Sequence, residues 1–286
     1  MSTVGRDLAF IETIVHPTDF SAASEHAFAH ALAVALLRRA SLTLLHVGTD
    51  AEAEWSRFPA VRATLERWGL LEAGSAQQDV FAKHGVRIKK VSISSHFPAL
   101  AVLEYLDRSP ADLLVVATEG REGVARWLHG STAEALARRS HTMTLFVPAG
   151  AKRELVALAD GWLTLDNILI PIDRAPDPSA AIEFARRAAE ELGEGGVTIT
   201  LLHVGAATGM PQLRTDDGAG WKFKRLLRDG DPVEQILAVA ADVRVDLIVM
   251  PTEGRTGAFD ALRGSTTERV LRCAPCPLLA VPAART

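Results

Sequence analysis

Residues 117–134 read ATEGREGVARWLHGSTAE, and residues 251–268 read PTEGRTGAFDALRGSTTE. Ten of the 18 positions are identical at a constant offset of 134. Chance does not produce such a match, so the chain carries an internal duplication. Working outward, IVHPTDFS at 14–21 matches ILIPIDRA at 168–175, and Asp19 faces Asp173 at an offset of 154. LTLLHVG at 42–48 matches ITLLHVG at 199–205 at an offset of 157. DLLVVATEG at 112–120 matches DLIVMPTEG at 246–254. The offset falls from 157 to 134 between the second and third blocks, so the first half is 23 residues longer there.

Each half alternates between two periodicities. Short runs rich in Val, Ile and Leu at 11–17, 41–47, 86–94, 112–118 and 143–147 read as strands. Their second-half equivalents are 167–172, 197–204, 221–227, 246–251 and 277–281. Helical stretches lie between them. Asp177-Pro178 and Asp231-Pro232 have the form of an N-cap followed by a first-turn proline, and Gly193 closes the first of those helices. Strand–helix alternation predicts parallel sheets covered by helices on both faces. Two domains follow, 1–148 and 166–286. They are joined by 149–165, where AGAKRELVALADGWLTL breaks the pattern. The extra first-half segment places Trp55, Phe58, Leu65, Trp68 and Leu71 on one helical face, packed on its own domain or offered to a partner. The stretch 205–220 is glycine-rich and reads as a mobile loop, with a lid over a ligand as one role for it.

Composition narrows the function. The chain has 286 residues, a net charge of -4, 48% hydrophobic residues and 23% charged residues. That excludes disorder and a disulfide scaffold. A weakly acidic chain lacks the basic face that nucleic acid requires. No apolar run reaches the roughly 20 residues of a membrane helix, and residues 1–7 do not form a secretory signal. Two cysteines suit a reducing cytoplasm.

Both repeats carry Gly, nine residues, then Gly-Ser: Gly120 with Gly130-Ser131, and Gly254 with Gly264-Ser265. Thr132 and Thr266 follow. Glycines let backbone N–H groups approach an anion, and a helix N-terminus with Ser and Thr hydroxyls adds donors. In an open α/β sheet such a loop lies at the carboxyl ends of the strands, where ligands bind. The competing assignment is a capping box, Ser131-x-x-Glu134 and Ser265-x-x-Glu268. Phosphorylation of Ser131, Thr132, Ser265, Thr266 or Thr267 is a third. Spacing alone leaves all three open.

The ordered blocks ILIPID, ITLLHV, DLIVM and TEGRTG…LRGSTTERVLRCAPCPLLAV resemble the universal stress protein family, once per half. The resemblance implies two flavodoxin-like domains of the adenine nucleotide alpha hydrolase-like type. Each would be a five-stranded parallel sheet in order 3-2-1-4-5 with helices on both faces. It implies pairing through the last strands, 144–147 with 278–281, as an internal pseudo-dimer or a homodimer. It also implies ATP or another adenine nucleotide, with Mg²⁺ accompanying the nucleotide, bound through Gly-x2-Gly-x9-Gly-Ser/Thr. Carried onto this chain, that site comprises Asp19, Val47, Ala117, Gly120, Gly130, Ser131 and Thr132. In the second half it comprises Asp173, Val204, Pro251, Gly254, Gly264, Ser265 and Thr266.

The first motif glycine is replaced in both halves. Alanine at 117 adds a Cβ, and proline at 251 removes an N–H. Glu119 and Glu253 would place a carboxylate near the phosphates of a bound nucleotide and repel them unless Mg²⁺ or the adjacent Arg121 and Arg255 offset it. Three functions remain: a nucleotide-binding stress sensor or adaptor acting on unknown protein partners, a scaffold that has lost its ligand, and a slow ATPase. No catalytic residue is predicted. Cys273-Ala-Pro-Cys276 precedes a strand instead of opening a helix, which disfavours redox exchange. It also lacks the two further ligands zinc requires. His46 and His203 are expected to be hydrogen-bonded structural histidines. His16 and His129 have no counterpart in the second half.

Overall fold

The computed structural model describes residues 11–49, 55–118, 142–192, 196–213, 215–218, 220–252 and 266–283. The first half supplies strands β1 (Thr13–Thr18), β2 (Ser41–Gly48), β3 (Arg87–Ser94), β4 (Leu113–Thr118) and β5 (Met143–Pro148). The second supplies β6 (Asn167–Pro171), β7 (Val197–Val204), β8 (Trp221–Arg228), β9 (Leu247–Thr252) and β10 (Leu278–Pro282). Every expected strand is present, with ends moved by two residues at most. The helices are α1 (Ala22–Arg38), α2 (Val61–Arg67), α3 (Gln77–His84), α4 (Pro98–Arg108), α5 (Ser179–Leu192), α6 (Pro232–Asp242) and α7 (Thr266–Leu271).

All ten strands form one sheet in the order β3-β2-β1-β4-β5-β10-β9-β6-β7-β8. Each half therefore has the order 3-2-1-4-5. The halves do not keep separate sheets, because β5 and β10 pair antiparallel with Leu278 opposite Phe146 and Ala280 opposite Thr144. This is the only antiparallel junction among the described strand pairs. Pairing satisfies two backbone edges that would otherwise recruit another chain. The outer edges, β3 and β8, carry Arg87, Lys89, Lys90, Lys222, Lys224, Arg225 and Arg228, which discourages further strand addition.

One apolar core lies on each face and crosses the junction. Ile14, Leu42, Ile168 and Ile199 face α1, α2 and α5. Val15, Leu45, Leu169 and Leu202 face α4, α6 and α7. Ala27, Ala31 and Ala35 form a fully buried stripe on α1, and Ala181, Ala185 and Ala189 repeat it on α5. Spacing of four puts each trio on one helical face, and the missing side-chain bulk lets the helix sit close to the sheet.

Helix starts follow the sequence. Asp231 accepts from Val233 N (2.9 Å) and Glu234 N (3.1 Å), with Pro232 in the first turn. Asp177 accepts from Ser179 N at 3.0 Å, and α5 begins there, one residue beyond Pro178. Gly193 lies outside the described residues.

Two expectations change. Phe58, Leu65, Trp68 and Leu71 are buried in the core, but they do not share one helix. A 3₁₀ turn (Trp55–Arg57), α2 and α3 divide the segment, because Pro59 and the pair Gly69 and Gly74 interrupt it. The stretch after β7 is more structured than its glycine content suggests. It forms a 3₁₀ turn (Ala207–Gly209), and Asp217 accepts from Phe223 N at 2.7 Å.

Residues 149–165 touch both halves. Trp68 Nε1 donates to Leu158 O at 3.0 Å, and the indole ring lies against Gly161 at φ +73. A Cβ there would fall 2.5 Å from the ring, so only glycine fits. Arg153 pairs with buried Asp246 at 2.6 Å.

Candidate functional site

The strand order reverses between β1 and β4, and again between β6 and β9. In open α/β sheets ligands bind in the crevice outside the carboxyl ends of the strands at such a reversal. The loops that follow β4 and β9 start there. Gly120, Gly130, Ser131, Thr132, Gly254, Gly264 and Ser265 lie outside the described residues, as do Glu119, Arg121, His129, Glu134, Glu253 and Arg255. The strand ends around the crevices are described.

In the first half, β1 pairs with β2 up to Thr18 opposite His46, so Asp19 follows beside Val47. Ala117 sits one residue before the end of β4, half-buried, opposite Val147. The register therefore brings Asp19, Val47 and Ala117 to one edge. Thr118 Oγ1, next to Ala117, is buried and makes no hydrogen bond to the described residues. In the second half, Val204 ends β7 half-buried, and exposed Asp173 lies just past β6. Pro251 is buried in β9 opposite Val281. Thr266 is the first residue of α7. Glu268 in that first turn is buried and accepts from Arg272.

Both aspartates work locally. Asp19 Oδ1 accepts from Ser21 N (3.0 Å) and Ser21 Oγ (2.6 Å). Ser21 caps α1, accepting from Ser24 N at 3.2 Å. Asp173 Oδ1 accepts from Arg174 N at 2.7 Å.

The paired histidines have matching jobs. His46 Nδ1 donates to Thr18 O at 2.8 Å, and His203 Nδ1 donates to Ile172 O at 3.1 Å. Each ring ties the end of the second strand to the end of the first.

Beneath the first tip lies a buried polar cluster. His16 Nδ1 donates to Val115 O at 2.9 Å, its Nε2 lies 3.3 Å from Ser24 Oγ, and Ser24 Oγ lies 2.9 Å from Thr18 Oγ1. Burial pushes the His16 imidazole down to about 4, so it is neutral at pH 7. With no solvent access it braces β1 against β4 and does not serve as a base.

Sequence reasoning missed Phe20. It adopts φ 64, rare for a bulky residue. Its ring stacks on His46 (4.1 Å between centroids), meets Phe58 edge-on, and lies under the Arg57 guanidinium at 4.7 Å. Nothing in IVHPTDFS signals the left-handed backbone. The equivalent Arg174 instead donates to Thr208 O at 2.7 Å.

Among the described residues no group of three His, Cys, Asp or Glu could hold a metal. No helix among them is long and apolar enough to cross a membrane. Cys273 and Cys276 are free. Burial, then the Asp246 carboxylate, pushes the Cys276 thiol up to about 12, which leaves it unreactive.

A doubly wound sheet with a duplicated strand order, each fourth strand followed in the sequence by a glycine-serine segment, defines a class of α/β folds. The chain belongs to the universal stress protein family, whose sequence profile matches residues 11–148 and 213–282. It is similar to a universal stress protein of Mycolicibacterium smegmatis, 25% identical over 292 residues, covering 92% of this chain and 94% of that one. It is also similar to universal stress protein MJ0531 of Methanocaldococcus jannaschii, 30% identical over 137 residues, covering 40% of this chain and 81% of that one. A universal stress protein structure from Archaeoglobus fulgidus superposes with TM-score 0.59 at 16% identity, covering 97% and 99% of the two chains. That likeness concerns the fold.

Proposed function

We propose that this protein binds an adenine nucleotide, ATP foremost, at the first-half switch point and works as a stress sensor or adaptor. What supports this reading is the sequence, in which Gly120 and Gly130-Ser131 follow β4, together with the reversal of strand order beside that strand. Thr118 Oγ1, buried without a described partner at that edge, suits a site awaiting a polar ligand atom. Asp19 and Val47 would line the base side, and Gly120, Gly130, Ser131 and Thr132 would face the phosphates with any Mg²⁺. Bound nucleotide would stabilise one conformation and so bias protein partners. The two domains, 1–148 and 166–286, divide the work, and the protein acts in the cytoplasm.

The second half supports a different reading. Pro251 is buried where the first motif glycine would stand, and it offers no N–H. We infer that Asp173, Val204, Gly254, Gly264, Ser265 and Thr266 surround a degenerate site that serves the scaffold.

The test is a thermal-shift titration with ATP, ADP and AMP, with and without Mg²⁺. A ligand at about 100 times its Kd stabilises by roughly 2.7 kcal/mol, a shift of several degrees. The shift should vanish in Gly130→Asp and persist in Gly264→Asp. No shift at millimolar nucleotide would leave the scaffold reading for both halves. Phosphate release that disappears in Ser131→Ala would instead establish a slow ATPase.

A further inference from the structure

The first half turns from β1 into α1 at Phe20. That residue lies in the left-handed region at φ 64, which a phenylalanine adopts only where its surroundings impose it. The surroundings are specific. His46 Nδ1 donates to Thr18 O at 2.8 Å, which fixes the imidazole across the ends of β1 and β2. Gly48 leaves room for that ring, since a Cβ there would fall 2.8 Å from His46 Nε2. The Phe20 ring stacks on the imidazole at 4.1 Å between centroids. This fills one face of the phenyl ring, and the Arg57 guanidinium covers the other at 4.7 Å. Phe58 meets the ring edge-on at 5.4 Å, and Phe20 N donates to Thr18 Oγ1 at 3.2 Å. Arg57 and Phe58 lie in the stretch where the first half is 23 residues longer.

The second half lacks this stack. Arg174 stands in place of Phe20, does not have a positive φ, and sends its guanidinium to Thr208 O at 2.7 Å. There α5 begins at Ser179, six residues after Asp173, whereas α1 begins at Ala22, three residues after Asp19. The stack therefore closes a tight turn directly behind Asp19. Asp19 is exposed, and its Oδ1 accepts from Ser21 N and Ser21 Oγ, while Oδ2 accepts from no described group. A carboxylate held this way presents one free oxygen in a fixed direction at the carboxyl edge.

We propose that Phe20 is a positioning residue: its left-handed turn, locked between His46 and Arg57, holds the Asp19 carboxylate ready for the base side of a bound nucleotide. The segment carrying Arg57 and Phe58 braces that turn. This rests on the nucleotide reading of the first-half site. A carboxylate oriented in advance loses little freedom when ligand arrives, so the strain kept at Phe20 returns as affinity.

The test is isothermal titration of the full chain with ATP. Phe20→Gly and Phe20→Asn both tolerate a left-handed backbone, so each keeps the turn available without locking it. Each should raise the Kd for ATP about tenfold, roughly the value of one hydrogen bond to a charged group. Phe20→Tyr keeps the stack and should bind like the parent chain. Arg174→Ala, at the equivalent position of the second half, should leave affinity unchanged. The deciding measurement is a double variant. Asp19→Ala removes the contact itself, so adding Phe20→Gly to it should cost no further affinity. A residue that only supported the fold would lower the melting temperature and weaken ATP by the same factor in both backgrounds. Parent-like affinity in Phe20→Gly and Phe20→Asn, or an equal loss with and without Asp19, would overturn the positioning role and leave the nucleotide reading standing. An absence of saturable ATP binding by the parent chain would overturn both.

Discussion

The two halves diverge most at the tip of their first strands. In the first half His16, Thr18 and Ser24 form a buried polar cluster under Phe20. The repeat puts Ile170, Ile172 and Pro178 at those positions, with Arg174 in place of Phe20. His30, buried on α1, is matched by Phe184 on α5. What supports the sheet has stayed the same. The alanine stripes coincide, and Asp112 and Asp246 each cap the start of the first strand from the start of the fourth. Duplication thus preserved backbone satisfaction and close packing while polarity diverged near one candidate site. Satisfied backbone groups tolerate little change, and a buried side-chain network is retained only where it does something.

The matched aspartates give the largest expected effect. Asp246 is 1% exposed, accepts from Asp166 N and Asn167 N at 2.8 Å, and pairs with Arg153. Asp246→Ala should cost about 3–5 kcal/mol, because an arginine and two amides lose their acceptor. Asp112 accepts from Glu12 N, Thr13 N and Thr13 Oγ1 without a described cation, and it is only half-buried. Asp112→Ala should cost about 1–2 kcal/mol. Urea unfolding of the two variants checks the difference, and equal losses would mean that burial and Arg153 add nothing.

The buried histidines break the symmetry with pH. Burial pushes both His16 and His30 down to about 4 from 6.5. The unfolded chain therefore binds more protons between about pH 6.5 and 4, so stability falls as pH drops through that window. Each histidine accounts for about 3 kcal/mol at the lower end, at roughly 1.4 kcal/mol per pH unit. The melting temperature should therefore fall as pH drops from 6.5 to 4.5, which calorimetry measures. His30→Phe copies the second half and also removes His30 Nε2, which is buried without a hydrogen-bond partner. It should be neutral at pH 7 and raise the acid-side melting temperature. His16→Ile combined with Thr18→Ile and Ser24→Ala should do the same. An acid-side melting temperature that His30→Phe leaves unmoved would refute the asymmetry.

The duplication was readable because motif order and offsets do not depend on three-dimensional detail. LTLLHVG and ITLLHVG gave the second strand of each half to within a residue. The resemblance supplied the pairing of 144–147 with 278–281, which apolar periodicity does not encode. The break at Pro59 and Gly69 was visible residue by residue, yet the spacing of Phe58, Leu65 and Trp68 argued for one helix. Burial alone produces the same spacing across a turn. Phe20 stayed hidden because a left-handed backbone at phenylalanine is imposed by its neighbours and has no sequence signature. The polar cluster escaped for the opposite reason. His16, Thr18 and Ser24 look ordinary until β1 turns into α1 and brings them together.

The smallest effect concerns Cys276 and its first-half equivalent, Thr142. Both are buried just before the last strand of their half. Thr142 Oγ1 donates to Ala111 O at 3.0 Å, and the repeat places Val245 where Ala111 stands. Thr142→Ala should therefore cost about 1 kcal/mol, the net value of one buried hydrogen bond. Cys276→Thr should cost less than that, since its hydroxyl would have the Val245 carbonyl as acceptor. The thiol itself reports the packing. With Cys276 pushed up to about 12 by burial and by Asp246, DTNB at pH 8 should find one reactive thiol in the native protein, Cys273, and two after unfolding. Two fast thiols in the native state would mean that the second half opens near β10 far more readily than its buried junction with β5 implies.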